Sequence, residues 1–291
     1  MAKGDFRAME IKEVTIVGAG TMGAGIASVV ISAGFKANLI DISEELLKKA
    51  EKAVEKILSR SVEKGKMTEA DKACALGNIS YRTDLNKAAS SQLIIEAVNE
   101  NIDIKKKVFS QLAGIVSDDA IIGSNTSALK ISELAAAIRW PDKVIGMHFF
   151  NPVPAMKLIE LVKTDLTSEQ TFNIAKQFVG KLGKEAVTVK ESPGFIVNRV
   201  LIPMINEAAI LFGEKVATAE DIDKAMALGA NHPIGPLALA DLIGLDICLA
   251  IMETLKEQLK SDKYEPAPAL RELVAAGKLG KKSGSGFHNY K

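Results

Sequence analysis

Cysteine is scarce in this chain of 291 residues, in which only Cys74 and Cys248 occur, without the spacing of a metal or redox site. Two such isolated cysteines exclude a disulfide framework. Both lie in apolar helical patterns, and we interpret them as reduced thiols in or near the core of a protein from a reducing compartment. Histidine is also scarce. Of the three histidines, His232 and His288 have no aspartate, glutamate or cysteine at a metal-ligand spacing, so no metal site is predicted.

An excess of charge of one sign is also missing. The chain has 37 Lys and Arg against 36 Asp and Glu, a formal net charge of +1, which favours neither a nucleic-acid nor a membrane partner. The most apolar long segment, residues 235–252, is interrupted by Asp241 and Asp246, which argues against a membrane span. Residues 1–8 are a short polar lead without the pattern of a secretory signal, and Met9 is a candidate for the natural start. We therefore expect a cytoplasmic protein.

A glycine-rich turn near the amino end carries the most specific pattern. The β-rich run Glu13–Val17 leads directly into six residues that read Gly-Ala-Gly-Thr-Met-Gly, and a helix with small residues on one face follows. In a dinucleotide-binding βαβ unit, the first glycine makes a tight turn, the second lets the backbone approach a pyrophosphate, and the third allows close helix packing. The helix N-terminus adds N–H groups and a positive dipole end. The residues predicted to bind the cofactor here are Gly18, Ala19, Gly20, Thr21, Met22 and Gly23.

An acidic residue at the end of the second strand indicates which dinucleotide is bound. Asp41 follows the apolar strand 37–40, where a carboxylate can accept hydrogen bonds from both ribose hydroxyls. It would repel a 2′-phosphate, and no arginine follows it, so NAD is predicted rather than NADP. Ser43 is then expected to cap a long charged helix from Glu44 to about Lys64.

Strands and helices alternate through the first two thirds of the chain. Glu100 and Lys105 follow one buried-type strand, Ser124–Ser127 follow another, and His148 ends a third. This alternation predicts an α/β fold with a Rossmann-type, doubly wound, mostly parallel sheet. Polar residues then gather at the carboxyl ends of the strands, where cofactors lie in such sheets.

The β-rich runs stop before Glu191, and only helical periodicity follows. We therefore predict an NAD-binding Rossmann domain over residues 1–190 and an all-helical domain over residues 191–291. The apolar surface of these helices exceeds what one small bundle can bury, which favours a homodimer through this domain.

The stretch of residues 146–161 is where we expect the chemistry. A β-rich run ends in His148, a proline-stiffened turn follows, and a second β-rich run carries Glu160. Histidine takes and returns protons near neutral pH, and a carboxylate on the adjacent strand can fix its tautomer and stabilise its charged form. The alternative is a strand–turn–strand that happens to contain both residues. Taken alone, Asn198 in the first C-terminal helix is more often a polar residue at a helix start than a residue that faces the cleft between the domains.

Several motifs in one order resemble those of the L-3-hydroxyacyl-CoA dehydrogenase family, from about residue 12 to residue 291. They are Val17–Gly23, Ser124–Ser127, His148–Pro154, Ser192–Arg199 and Gly280–Phe287. The length is similar to that of the short monofunctional members, such as bacterial 3-hydroxybutyryl-CoA dehydrogenases. The resemblance implies an NAD-dependent oxidoreductase of fatty acid or butanoate metabolism that interconverts (S)-3-hydroxyacyl-CoA and 3-ketoacyl-CoA.

The resemblance also implies roles for individual residues. His148 would be the acid–base residue and Glu160 its partner, while Ser127 and Asn198 would bind the substrate. Lys64 falls where the family's long helix offers a lysine to the phosphates of coenzyme A. Beyond the glycine turn, the implied cofactor contacts are Asp41, Glu100, Lys105, Ser127, Asn151 and Lys282.

Two other functions remain open. A dehydrogenase of a hydroxy acid without coenzyme A would share the cofactor site, and a catalytically silent NAD-binding relative would keep the fold without turnover. The four residues Ser127, His148, Glu160 and Asn198 favour an active dehydrogenase, because a silent protein has no physical need to retain them.

Overall fold

The computed structural model describes residues 9–290, and the chain folds as two compact units that divide between Ser192 and Pro193. The predicted boundary, at residue 190, lies two residues earlier. The polar lead of residues 1–8 lies outside the described residues.

A single eight-stranded sheet forms the centre of the first unit. Its strands are β1 (Glu13–Val17), β2 (Lys36–Ile40), β3 (Ile79–Arg82), β4 (Leu93–Glu96), β5 (Ile121–Ser124), β6 (Val144–Phe149), β7 (Leu158–Lys163) and β8 (Glu185–Lys190). The spatial order is β3-β2-β1-β4-β5-β6-β7-β8, and all neighbours are parallel except β6 and β7. The strand order reverses between β1 and β4. In open α/β sheets, ligands bind at this point, beyond the carboxyl ends of the strands.

The helices of the first unit are α1 (Thr21–Ser32), α2 (Glu44–Glu63), α3 (Glu69–Gly77), α4 (Ile102–Leu112), α5 (Ile131–Ala135) and α6 (Glu169–Lys181). Helix α2 begins at the predicted cap, since the Ser43 hydroxyl accepts the N–H of Leu46 at 3.2 Å. Its apolar face packs against α1 and buries Leu47, Ala50, Val54 and Leu58. Strands β4, β5 and β6 are buried along their whole length, as expected for parallel strands covered on both faces. The predicted Rossmann-type sheet is confirmed.

The second unit is helical, as predicted. Its helices are α7 (Val197–Gly213), α8 (Ala219–Gly229), α9 (Pro236–Ile243), α10 (Leu245–Leu259) and α11 (Pro268–Ala275).

 Helix α10 spans Leu245–Leu259, and its buried side chains Leu245, Cys248, Met252 and Leu255 join those of α7, α9 and α11 in a separate apolar core. Within residues 9–290, no helix combines the length and the apolarity that crossing a bilayer requires.

The two cysteines differ in their surroundings. Cys248 on α10 is fully buried, and burial raises the pKa of its thiol to about 12, with a further contribution from the nearby Asp246 and Asp241 carboxylates. Cys74 on α3 is exposed, because this short helix buries only Ala75. The expectation of a core or near-core position is therefore wrong for Cys74.

Candidate active site

The turn between β1 and α1 requires glycine at two positions. Gly18 has a φ of +109°, and a Cβ there would lie 2.5 Å from the carbonyl oxygen of Ala97. A Cβ on Gly23 would lie 1.7 Å from the carbonyl oxygen of Gly18. The N–H of Gly18 also donates to the carbonyl of Ile40 at 2.7 Å. The turn is therefore held closely against the ends of β2 and β4.

The middle glycine of the turn faces open space. A Cβ on Gly20 would meet no heavy atom within 4 Å, and α1 begins directly after Gly20 without a side-chain cap. The N–H groups of the first helical turn are thus presented where a phosphate can approach the backbone closely. This arrangement fits the pyrophosphate of a dinucleotide.

Asp41 is fixed against the same turn. Its Oδ2 accepts the N–H of Ala19 at 2.8 Å, and its Oδ1 accepts the N–H of Ser43 at 3.0 Å. Each carboxylate oxygen retains a second lone pair, so Asp41 can still accept hydrogen bonds from ribose hydroxyls.

A groove of about 740 Å³ opens beside the turn and is lined in part by Asp41. Its apolar lining includes Ile42, which is 97% exposed, and the exposed side chains of Leu46 and Ile104. Apolar side chains around a carboxylate suit a ring system attached to a ribose. The residues present therefore fit an adenine dinucleotide.

Strands β6 and β7 place His148 directly opposite Glu160 in their antiparallel register. Nδ1 of His148 lies 2.7 Å from Oε2 of Glu160, and the two side chains are 4% and 0% exposed. Because the carboxylate accepts at Nδ1, a neutral imidazole carries its proton there and leaves a lone pair on Nε2. The two residues predicted from the stretch 146–161 are thus brought together.

Ser127 lies beside the other nitrogen of the imidazole. Its Oγ is 3.0 Å from Nε2 of His148, and its N–H donates to Oε1 of Glu100 at 2.8 Å. The hydroxyl can donate to Nε2 when the imidazole is neutral and accept from it when the imidazole is charged. The row Ser127–His148–Glu160 can therefore accommodate a proton arriving at or leaving Nε2.

A buried group of charged side chains lies next to the loop that carries Ser127. Nζ of Lys105 lies 2.6 Å from Oε1 of Glu96 and 3.3 Å from Oε2 of Glu100. Glu96 also accepts from the hydroxyl of Ser124 at 2.6 Å. Sequence reasoning identified Glu100 and Lys105 and included Ser124 only as part of a polar run, but it missed Glu96. The available signal was a carboxylate within an otherwise apolar strand, which requires a partner when buried.

The ammonium of Lys105 has three N–H groups and three acceptors in reach. These acceptors are the carboxylates of Glu96 and Glu100 and the carbonyl of Val98, at 3.3 Å. The Lys105 side chain is also fully buried, and its predicted contact with the cofactor stays a prediction. Lys105 reaches the site through Glu100, whose side chain is 42% exposed.

Comparison with known families decides the identity of this fold and site. The family model described as 3-hydroxyacyl-CoA dehydrogenase, NAD binding domain, matches residues 13–192, and the model for the C-terminal domain of the same enzymes matches residues 194–290. The chain belongs to the 3-hydroxyacyl-CoA dehydrogenase family. The resemblance inferred from the motifs is confirmed, and NAD is the cofactor of this family's N-terminal domain, as predicted from the glycine turn and Asp41.

Similar members of the 3-hydroxyacyl-CoA dehydrogenase family match over nearly their full length. A probable 3-hydroxybutyryl-CoA dehydrogenase of Bacillus subtilis is 48% identical over 97% of this chain and 98% of its own. The 3-hydroxybutyryl-CoA dehydrogenase of Bradyrhizobium diazoefficiens is 46% identical over 97% of this chain and 96% of its own. The crystal structure of (S)-3-hydroxybutyryl-CoA dehydrogenase PaaH1 from Ralstonia eutropha is 49% identical, with a TM-score of 0.94 over 97% of this chain and 100% of that one.

Two further residues with predicted ligand contacts lie in the first unit. Asn151 is exposed in the turn between β6 and β7, where the Asn151–Pro152 peptide bond is cis. The start of this turn is tied to the neighbouring loop, because the N–H of Phe149 donates to the side chain of Asn125 at 2.9 Å. Lys64 is exposed at the end of α2. The roles of Asn151 and Lys64 stay predictions.

The remaining predicted residues of this family member lie in the second unit. Asn198 is buried at the second position of α7. Lys282 is exposed and forms an ion pair with both oxygens of Asp246, at 2.6 and 2.7 Å. Their contacts with substrate and cofactor stay predictions. Among residues 9–290, no group of three or more histidine, cysteine, aspartate or glutamate side chains could hold a metal ion.

Proposed function

We propose that this chain interconverts (S)-3-hydroxybutyryl-CoA and acetoacetyl-CoA with NAD as the hydride carrier. The observation that carries the proposal is the row Ser127–His148–Glu160, which lies at the same edge of the sheet as the dinucleotide-binding turn. The choice of a four-carbon substrate is supported by the names of the relatives, which are 3-hydroxybutyryl-CoA dehydrogenases.

His148 is the proposed acid and base. Since its Nδ1–H donates to Glu160, the lone pair on Nε2 can remove the proton of the 3-hydroxyl group. Glu160 keeps the imidazole oriented and stabilises the positive charge that the imidazole then carries. A bound NAD would supply the hydride chemistry, with carbon three of the substrate as hydride donor in this direction and hydride acceptor in the other. In the reverse direction, protonated His148 donates its Nε2 proton to the 3-keto oxygen.

Ser127 and Asn198 are the proposed substrate-binding residues. The Ser127 hydroxyl already lies 3.0 Å from Nε2 of His148, so an oxygen that hydrogen-bonds to Ser127 is brought close to the base. Asn198 would supply an amide donor to a second substrate oxygen. Holding the reacting carbon in place is the positional part of catalysis.

The proposed cofactor contacts follow the geometry of the first unit. The N–H groups that follow Gly20 would bind the pyrophosphate, and Asp41 would accept the ribose hydroxyls. The further proposed cofactor contacts are Glu100, Lys105, Ser127, Asn151 and Lys282, and Lys64 would bind a phosphate of coenzyme A.

The test is oxidation of NADH measured at 340 nm, in parallel with acetoacetyl-CoA, longer 3-ketoacyl-CoA esters and free acetoacetate. We expect turnover with acetoacetyl-CoA, slower turnover with NADPH, and none with free acetoacetate. Turnover of free keto acids without thioester turnover would favour a dehydrogenase of hydroxy acids. NADH binding without turnover of any of these would favour a catalytically silent relative.

The proposed assembly is a homodimer formed through the second unit. This unit exposes large apolar side chains, and the best exposed on its helices α7 to α9 are Val200, Leu228 and Leu242. Apolar side chains that remain exposed on a monomer are typical of a surface covered by a partner. Sedimentation equilibrium measures the assembly directly. We also propose a cytoplasmic location.

A further inference from the structure

One carboxylate oxygen of Glu100 accepts several hydrogen bonds from the loop that carries Ser127. Oε1 of Glu100 accepts the N–H of Ser127 at 2.8 Å, the N–H of Ala128 at 3.3 Å and the hydroxyl of Thr126. The position of Ser127, and with it the contact between its hydroxyl and His148, therefore depends on where Glu100 is held.

The Glu100 side chain is 42% exposed, and a contact with the protein interior fixes its other end. Its other oxygen, Oε2, lies 3.3 Å from Nζ of Lys105, whose side chain is 0% exposed. Lys105 extends from α4, and its ammonium is anchored 2.6 Å from Glu96 at the end of β4. Separating a buried charge from its partner strongly destabilises the folded protein, so the ion pair with Glu96 holds the Lys105 ammonium in one position.

Glu96 is itself fixed at both oxygens. Its Oε1 accepts the N–H of Val98 at 2.8 Å in addition to Lys105, and its Oε2 accepts the hydroxyl of Ser124 at 2.6 Å. The Glu96 side chain is fully buried. Hydrogen bonds and ion pairs thus connect the carboxyl end of β4 to Ser127 through Lys105 and Glu100.

We propose that Glu96 is a positioning residue for Ser127, acting through Lys105 and Glu100. This positioning role rests on the proposed function only because Ser127 is taken to contact the substrate. Glu96 would then set the rate of turnover without touching substrate or cofactor. The same chain of contacts gives Lys105 a role in holding Glu100.

The activity test is a double-mutant cycle between Glu96→Gln and Ser127→Ala with acetoacetyl-CoA and NADH. In the wild-type background, Glu96→Gln should lower kcat by about 10-fold to 100-fold, the range expected for a misplaced catalytic group, with the KM for NADH nearly unchanged. In the Ser127→Ala background, the same change should lower kcat by no more than about twofold, the usual error of additivity. Equal losses in both backgrounds would mean that Glu96 does not act through Ser127.

A second measurement does not depend on turnover. Hydrogen exchange of the Ser127 and Ala128 amides should accelerate at least about tenfold in Glu96→Gln, because their acceptor Glu100 is released. If wild-type enzyme fails to turn over acetoacetyl-CoA, the proposed function is wrong, and amide exchange alone decides the role of Glu96.

Two further variants control for stability. Ser124→Ala removes one hydrogen bond to Glu96 and keeps every charge, so it serves if Glu96→Gln does not fold. It should show the same effects at reduced size. Thr15→Val removes another buried hydrogen bond, to Ser91 at 2.8 Å before the amino end of β4, and should change neither kcat nor amide exchange at Ser127. Unchanged exchange at Ser127 and Ala128 in both Glu96→Gln and Ser124→Ala overturns the inference.

Discussion

Replacing Glu160 with glutamine tests the acid–base pair with little change of shape. Glu160 is fully buried and lies 2.7 Å from Nδ1 of His148. A glutamine carbonyl can still accept the Nδ1–H of a neutral imidazole, so the orientation of the ring is retained. The substitution removes the negative charge beside the imidazolium. The reaction requires the imidazolium in both directions, as the product of proton removal in one and as the proton donor in the other.

The size of the loss follows from the geometry. A hydrogen bond to a charged group contributes roughly 1.5–3 kcal/mol, against about 1 kcal/mol for a neutral one. Two unit charges about 4 Å apart interact by about 4 kcal/mol at an effective dielectric constant of 20. The imidazolium should therefore lose roughly 1 to 4 kcal/mol of stabilisation. Since about 1.4 kcal/mol corresponds to a factor of ten, kcat should fall by about 5-fold to about 1000-fold.

The assay is NADH oxidation with acetoacetyl-CoA, combined with NADH binding by fluorescence. Binding of NADH should stay within about twofold of wild type, because Glu160 is buried away from the dinucleotide groove. Glu13→Gln is the matched control. Glu13 lies on β1 of the same sheet, and its carboxylate accepts a hydrogen bond from the Asn38 amide at 2.6 Å. Strands β4 and β5 separate β1 from the β6–β7 pair. A Glu160→Gln enzyme with kcat within about twofold of wild type would refute the acid–base assignment.

Four further outcomes are expected. His148→Ala should leave NADH binding intact and lower kcat by at least about 100-fold, as expected for lost acid–base catalysis; near-normal turnover would contradict the assignment. Gly20→Ala should fold normally, because its Cβ meets no neighbouring atom, yet it should bind NADH at least about tenfold more weakly. Gly23→Ala should lose roughly 1–3 kcal/mol or more of stability, because its Cβ would overlap the backbone of Gly18. A thiol reagent at pH 8 should label Cys74 quickly and Cys248 only after unfolding, because burial raises the pKa of Cys248 to about 12 and keeps it protonated; two fast thiols would contradict its burial. Leu242→Asp should shift a dimer towards monomer in sedimentation equilibrium, and an unchanged dimer would exclude Leu242 from the interface.

Local patterns in the sequence predicted those parts of the molecule whose contacts are local. The capping of α2 by Ser43 depends on residues three positions apart, and the turn of glycines depends on one strand and one helix. The pair of His148 and Glu160 was also accessible, because a short turn between two strands brings residues twelve positions apart into register.

Weak or misleading patterns account for the features that sequence reasoning missed. Strand β3 was not predicted, because Ile79–Arg82 is a half-exposed edge strand without a buried-type apolar run. Cys74 lies in an apolar helical pattern, but α3 is short and turns that residue towards solvent. In both cases, exposure depends on which elements pack nearby, and spacing within one segment does not contain that information.

The sequence by itself determined the family, the glycine turn of the NAD-binding domain and the pairing of His148 with Glu160, because glycine geometry, strand-end charge and the short β6–β7 connection act over a few residues. Only the tertiary structure decided how Ser127 is held. Its acceptor Glu100 lies 27 positions away, and Lys105 and Glu96 are buried together by the packing of α4 against the end of β4. Burial makes a charge depend on its partner, and the choice of partner is made by packing over long sequence separations.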